Sequence, residues 1–313
     1  MNSEIIEKVF DECIKKTLDD KSDMGRLVNL AYRLYRHELL TKNGVDNFDE
    51  AYYRSFVETT SPLIEKLYEE QDEDGSLGQS IYRTSLFVGI MCVVSRVYDD
   101  LDAIFARDCI HAGLDAAHYL MTDKKDIKLL DLKDRYALLW AFTELSHTDI
   151  EIKNTYDHSL MAGMPQKMSR QKKYKIFTNE LCRNLFDKTD EGKGYDFDLM
   201  IFAGITILLD MQDVFSDDAV RLTANCIFDF ADEIVKNEFS AESLKKDILL
   251  LLAVMAKENI LYKDSEIENS SDSQLIKVIE YNVINKKKMK LSNEEINEIN
   301  NKIQMYLKAI SVC

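Results

Sequence analysis

Hydrophobic positions recur at helical spacing along nearly the whole chain, broken by short polar stretches at Lys42–Asp49, Gln71–Ser80, Asp187–Asp196 and Asp264–Ser273. The period predicts helices over about 4–18, 23–41, 50–70, 81–98, 103–121, 133–146, 152–163, 167–187, 197–213, 217–237, 243–259, 273–285 and 292–310. No stretch alternates as a strand would. Two kinds of helix are expected. Ile81–Tyr98, Leu199–Met211 and Ile248–Met255 are apolar nearly all round, which requires burial on every side. Ala103–Met121 instead carries one stripe of Phe105, Cys109, Ala112, Ala116 and Leu120, with Arg107, Asp108, His111 and Asp115 off it. Ala219–Lys236 repeats that device with Ile227, Phe230, Ala231, Ile234 and Val235. Enclosed helices interleaved with half-buried ones imply an inner ring wrapped by an outer one. The fold expected is all-α, an (α/α)6-type toroid of about twelve helices, in one domain over residues 1–313. A solenoid of helical hairpins is the rival, but no repeat of fixed period is visible.

Composition sharpens this picture. The 313 residues include 10 Gly and 2 Pro, against the roughly 22 and 16 of average usage. Strand-rich folds need such residues at their turns, so sandwiches and propellers are disfavoured, as is a Gly-rich nucleotide-binding architecture. The net charge of −16 argues against a nucleic-acid partner, because phosphate binding needs clustered cations. The start, Met1-Asn2-Ser3-Glu4-Ile5-Ile6-Glu7, has neither a basic flank nor an apolar core of a signal peptide. The apolar runs Leu86–Val94 and Leu199–Leu209 are shorter than the roughly 20 residues a bilayer needs. A cytoplasmic protein without a membrane partner is expected. The six cysteines form no C-x-x-C pair, and His111 and His118 lie two helical turns apart, so no metal or cofactor is expected.

Several segments resemble the catalytic module of glycoside hydrolase family 9, the endoglucanase and cellodextrinase type with an (α/α)6 barrel. Phe87–Tyr98 ends in Val94-Ser95-Arg96-Val97-Tyr98, similar to the family's "ASRVY". Phe105-Ala106, Cys109-Ile110 and Ala116-Ala117-His118-Tyr119-Leu120 follow its "FA..CL.AA..A..YL" helix. Asp134-Arg135-Tyr136-Ala137-Leu138-Leu139-Trp140-Ala141-Phe142-Thr143-Glu144-Leu145 follows its "D.RLWAAAELY" helix. Val45–Tyr53 is similar to the base motif "YDAGDYGKY", keeping Asp46, Asp49 and Tyr53 but neither glycine. Ser292–Asn300 is similar to the acid motif "SNEVAIDYN", keeping Ser292, Asn293, Glu294 and Asn300. Gly194-Tyr195-Asp196-Phe197-Asp198, ahead of an apolar helix, is a weaker match.

The resemblance implies inverting hydrolysis of a β-linked glucan or a short oligosaccharide. Asp49 would be the base, Asp46 would help hold the water and Glu294 would be the acid, at the spacing of about 6.5–9.5 Å that leaves room for that water. Tyr53 and Trp140, the single tryptophan, would contact sugar. The family's His-and-Arg substrate-binding stretch is not visible between Glu258 and Leu291, and no calcium ligand set maps onto the chain.

Other readings remain open. Ser292-Asn293-Glu294-Glu295 also reads as a capping box, and Asp49 as the N-cap of the helix from Glu50. A toroid that has lost catalysis would be a carbohydrate- or protein-binding module. Gln71–Gly78 resembles the "QxxDGSWG" motif of terpenoid cyclases, which are also α/α toroids, with Leu77 in place of the aromatic. Asp72, Asp74 and Ser76 begin like a calcium loop too, but the twelfth position from Asp72 is Arg83, so an EF-hand is rejected.

Overall fold

A computed structural model describes residues 3–18, 22–42, 50–122, 127, 130–156, 167–186, 196–209, 215, 217–236, 243–262 and 293–311. Among them there is no strand. Eleven helices follow in order: α1 (Ser3–Thr17), α2 (Asp23–Lys42), α3 (Glu50–Glu69), α4 (Ile81–Val97), α5 (Ala103–Thr122) and α6 (Leu132–Tyr156), then α7 (Lys167–Phe186), α8 (Phe197–Leu208), α9 (Asp217–Val235), α10 (Ser243–Tyr262) and α11 (Asn293–Ser311). The all-α class expected from the hydrophobic period is therefore the class observed.

Two boundaries differ from expectation. The two helices expected over 133–146 and 152–163 are one continuous helix, α6, as far as Tyr156. The polar run Ser146–Asp149 suggested a break, but it holds neither Gly nor Pro, and His147 and Thr148 are buried. The helix expected over 273–285 lies outside the described residues.

The chain divides into two compact units. The first comprises Met1–Tyr174 and Lys193–Leu199, and the second Lys175–Gly192 and Met200–Cys313. In the first unit, α4 packs against both α2 and α6, while α1 and α3 lie against α2 and α5 lies against α4. Even-numbered helices thus form an inner layer and odd-numbered ones an outer layer, the alternation that the two kinds of hydrophobic pattern imply. Leu86, Phe87, Val88, Ile90, Met91 and Val93 are all buried on α4, so its polar face is almost nil.

Local chemistry fixes where these helices start. The Ser80 hydroxyl accepts from Arg83 N at 3.3 Å and caps α4. Asp102 Oδ1 accepts from Phe105 N at 3.0 Å and caps α5, the role its position predicts. Asp196 Oδ1 accepts from Leu199 N at 3.2 Å and starts α8. Small residues then set how closely the helices approach. Ala112, Ala116 and Ala117 are buried on α5, and a Cβ added at Gly113 would stand 3.2 Å from Met91 Cβ on α4.

In the second unit, α10 packs against α9 and α11, which also touch each other. Asp232 on α9 accepts from the Tyr306 hydroxyl of α11 at 2.5 Å and pairs with Lys302 at 3.3 Å. The α9 stripe is buried at Ile227, Phe230, Ala231 and Ile234, as its spacing predicts. Cys13, Cys92, Cys109 and Cys182 are buried. Burial pushes the Cys109 and Cys182 thiols up to about 12, so both stay protonated and inert.

Packing is tight at Gly89 of α4, where an added Cβ would lie 2.8 Å from the Trp140 ring on α6. Gly89→Ala is expected to lower stability by about 1–3 kcal/mol through overpacking, read as a lower urea midpoint at unchanged slope. An unshifted midpoint would mean that the indole has room to move.

Candidate functional site

The first unit holds an ion cluster that spans three inner helices. Arg96 of α4 donates from Nε and Nη2 to the Glu38 carboxylate of α2 at 3.0 and 3.2 Å. Its Nη2 also reaches Glu144 Oε2 of α6 at 2.7 Å, and its Nη1 reaches Thr148 Oγ1 at 2.7 Å. The second Glu144 oxygen accepts from the Tyr35 hydroxyl at 2.6 Å, and that hydroxyl accepts from Trp140 Nε1 at 2.7 Å. Glu144 and Trp140 are buried, and burial, reinforced by the Glu144 charge, drives the Tyr35 phenol well above its ordinary range. The relay closes on itself. Arg96, Trp140 and Glu144 come from segments that carry the family resemblance, whereas Tyr35, Glu38 and Thr148 do not, and the cluster serves as scaffold.

A second polar region is half open to solvent. It gathers the starts of three helices: Tyr82 on α4, Lys133 and Asp134 on α6, and Asp196 and Asp198 at α8. Tyr32 of α2 donates its hydroxyl to Asp198 Oδ1 at 2.7 Å, and burial, then the Asp198 charge, raises its pKa strongly. Burial pushes the Tyr82 phenol up to about 12, with Asp196, Asp198 and Asp134 adding to the effect in that order. Lys133 Nζ stands 5.2 Å from the centre of the Tyr82 ring. The positive ends of the helix dipoles favour carboxylates at these positions. Carboxylates accept hydrogen bonds from hydroxylated ligands, and phenol rings supply flat apolar faces beside them. Among the described residues, no group of three or more His, Cys, Asp or Glu is placed to hold a metal ion.

The residues singled out from sequence are distributed as follows. Asp46 and Asp49 lie outside the described residues, as does Ser292. Glu294 is exposed in the first turn of α11, in the second unit. Tyr53 is half-buried at the start of α3, 6.0 Å edge-on to His37 and 5.9 Å from Tyr52. Trp140 is 1% exposed and offers no open face to a ligand. Tyr52 bonds His37 Nδ1 and accepts from Arg36 Nη1, both at 3.2 Å. Arg36 in turn pairs with Glu7 and Asp11 of α1 at 2.7 Å each. Burial, then Arg36, holds His37 below its ordinary pKa.

The Gln71–Ser80 turn is internally bonded. Asp72 Oδ2 accepts from Gly78 N at 2.8 Å and Asp74 Oδ1 from Ser76 N at 2.9 Å. Gln71 Nε2 reaches Gly75 O and Ala112 O at 3.1 and 3.0 Å, tying the turn to α5. Gly75 has φ +86°, and an added Cβ would sit 2.6 Å from Asp115 O. The turn is structural here.

The sequence reading missed Tyr32, Tyr82 and Lys133. Asp196 and Asp198 carried a usable signal, two acids ahead of an apolar helix, and Asp134 stood in a scaffold motif. Their convergence depends on three helix starts meeting, which spacing along one chain does not express.

No protein-family model matches the chain, and no curated protein matches it. Among solved structures, it is similar to a glycoside hydrolase family 9 endoglucanase at 13% identity and TM-score 0.47. It is similar also to a zinc-binding triple mutant of that endoglucanase, at 13% identity and TM-score 0.48. Each match covers 81% of this chain and 52% of the other, so the chain spans about half the length of the structures it matches.

Two measurements check this assignment of roles. Glu144→Ala is expected to cost about 3–5 kcal/mol by removing one of the two buried carboxylates on Arg96 and the acceptor of the buried Tyr35 hydroxyl, whereas Glu294→Ala, at an exposed position, stays within about 0.5 kcal/mol; denaturation midpoints compare them. The second concerns alkaline pH. A phenol held at about 12 when folded and near 10 when unfolded contributes stability that is complete below pH 10 and lost as pH rises toward 12. Tyr82→Phe should remove part of that alkaline loss, and an unchanged pH profile would place Tyr82 in open solvent.

Proposed function

We propose that the protein is an α/α toroid of the glycosidase type that binds a short β-linked oligosaccharide. The binding region is the half-open cluster of Tyr82, Asp134, Asp196 and Asp198, with the buried Tyr32 bonded behind Asp198. The observation that carries this reading is the meeting of three carboxylates and the Tyr82 phenol at the starts of α4, α6 and α8, with Tyr32 of α2 bonded to Asp198. Sugars present hydroxyls that donate to carboxylates and C–H faces that pack on rings, so this pairing of groups suits them. The alternation of inner and outer helices in the first unit supports the toroidal architecture. A buried Trp140 and an exposed Glu294 leave recognition better supported than turnover.

Inverting hydrolysis is the second reading, with Asp49 as base, Asp46 holding the water and Glu294 as acid. What favours it is continuity in sequence: Asp46 and Asp49 directly precede α3, whose first turn carries Tyr52 and Tyr53 packed on His37.

Calorimetric titration with cellotetraose is expected to show saturable binding. Asp198→Asn should weaken it about tenfold, the loss of one charge-assisted hydrogen bond of about 1.4 kcal/mol, while Glu294→Gln leaves it unchanged. Reducing-sugar release that disappears in both Asp49→Asn and Glu294→Gln would establish hydrolysis instead. Absence of binding across a panel of β-glucans would remove carbohydrate from the function.

A further inference from the structure

The second unit carries a cluster of charged groups where α9, α10 and α11 meet. Phe228 and Asp232 come from α9, Lys257 from α10, and Glu298, Lys302 and Tyr306 from α11. The two carboxylates are already engaged. Lys302 Nζ stands 3.3 Å from Asp232 Oδ2 and 3.8 Å from Glu298 Oε1, and the Tyr306 hydroxyl donates to Asp232 Oδ1 at 2.5 Å. Lys257 has a different partner. Its Nζ lies over the Phe228 ring, 4.1 Å from the centre. The residue is half-buried, and among the described residues no carboxylate stands within ion-pair distance of its amine. Burial, then the charge of Lys302, lowers the Lys257 pKa, and Asp232 and Glu298 offset part of that effect.

We infer that Lys257 is a nucleophilic amine that condenses with a small aldehyde to form a reversible imine. An ammonium held by a ring face gives up less on deprotonation than one held in an ion pair. Loss of its proton also relieves the repulsion with Lys302. A desolvated lysine beside a second cation is an arrangement that activates an amine toward carbonyl carbon. Lys302 is the less suited of the two, because it holds Asp232 and Glu298. Half-burial of Lys257 leaves the aldehyde a route to Nζ. In the reaction, the nitrogen lone pair attacks the carbonyl carbon and the C=O π pair moves to oxygen. One proton passes from nitrogen to that oxygen, giving a carbinolamine. Its hydroxyl then leaves as water with the second N–H proton, and a C=N bond remains. Water addition reverses the sequence, and neither oxidant nor reductant is consumed.

Propanal at limiting concentration is the probe, with the imine trapped by cyanoborohydride and each lysine of the full chain mapped by peptide mass spectrometry. At about pH 7.5, Lys257 is expected to label at least about threefold faster than the exposed Lys236 and Lys308, because a lowered pKa enlarges the neutral fraction of the amine. Its rate should also level off at a lower pH than theirs. In urea the preference should vanish, since it depends on the packing of three helices. Lys257→Arg keeps a cation over Phe228 and should remove the fast-labelled peptide. Lys302→Gln takes away the neighbouring cation and leaves Asp232 and Glu298 to the Lys257 ammonium, so labelling of Lys257 should slow by about threefold or more. Helical circular dichroism checks that the variant folds. A lysine that is merely accessible would not respond to that change. Labelling of Lys257 no faster than that of Lys236 and Lys308 in the folded wild type would overturn the inference. So would a rate undiminished in folded Lys302→Gln.

Discussion

The first unit is organised around a buried arginine. Arg96 sits at 5% side-chain exposure between Glu38 at 10% and Glu144 at 0%. A cation this enclosed is tolerable only with its donors satisfied, because desolvation of an unpaired charge is costly. Two carboxylates and the Thr148 hydroxyl provide that satisfaction. They come from α2 and α6, so the requirement fixes both helices against α4. Tyr35 extends the constraint by occupying the remaining Glu144 oxygen, and Trp140 by donating to the Tyr35 hydroxyl. Gly89 then has to be glycine, since the indole that reaches Tyr35 lies where its Cβ would be. Helix register is thereby set by polar geometry inside an otherwise apolar layer.

That rigid layer has consequences at its end. Once α4, α6 and the start of α8 are locked in place, their first turns are brought together. Carboxylates that only cap or flank a helix in sequence become a shared electrostatic environment. Tyr82 registers this, since its phenol responds to Asp134, Asp196 and Asp198 together. The two polar regions therefore divide the labour. The enclosed one holds the helices, while the other is half open to solvent.

The turn before α4 is anchored by Gln71 to α5, and this places Leu77 against leucines of α2 and α3.

Helical class was legible from the sequence because a 3.6-residue period and a shortage of Gly and Pro both exclude strands. The caps at Asp102 and the buried stripes of α5 and α9 were legible for the same local reason, since they depend on neighbours within one or two turns. Trp140 and Glu144 were read as members of a motif, but sequence spacing says nothing of burial on the far side of a helix. Only packing decided that the single tryptophan is a core residue bonded to Tyr35. The join of two expected helices into α6 was likewise tertiary, since Thr148 is held by Arg96, 52 positions away. The site followed the same logic. Asp134, Asp196 and Asp198 each announce a helix start in the sequence, and a local pattern can carry no more than that. Their union around Tyr82 arises because distant helices share one packed layer, a relation set by side-chain volume and buried charge.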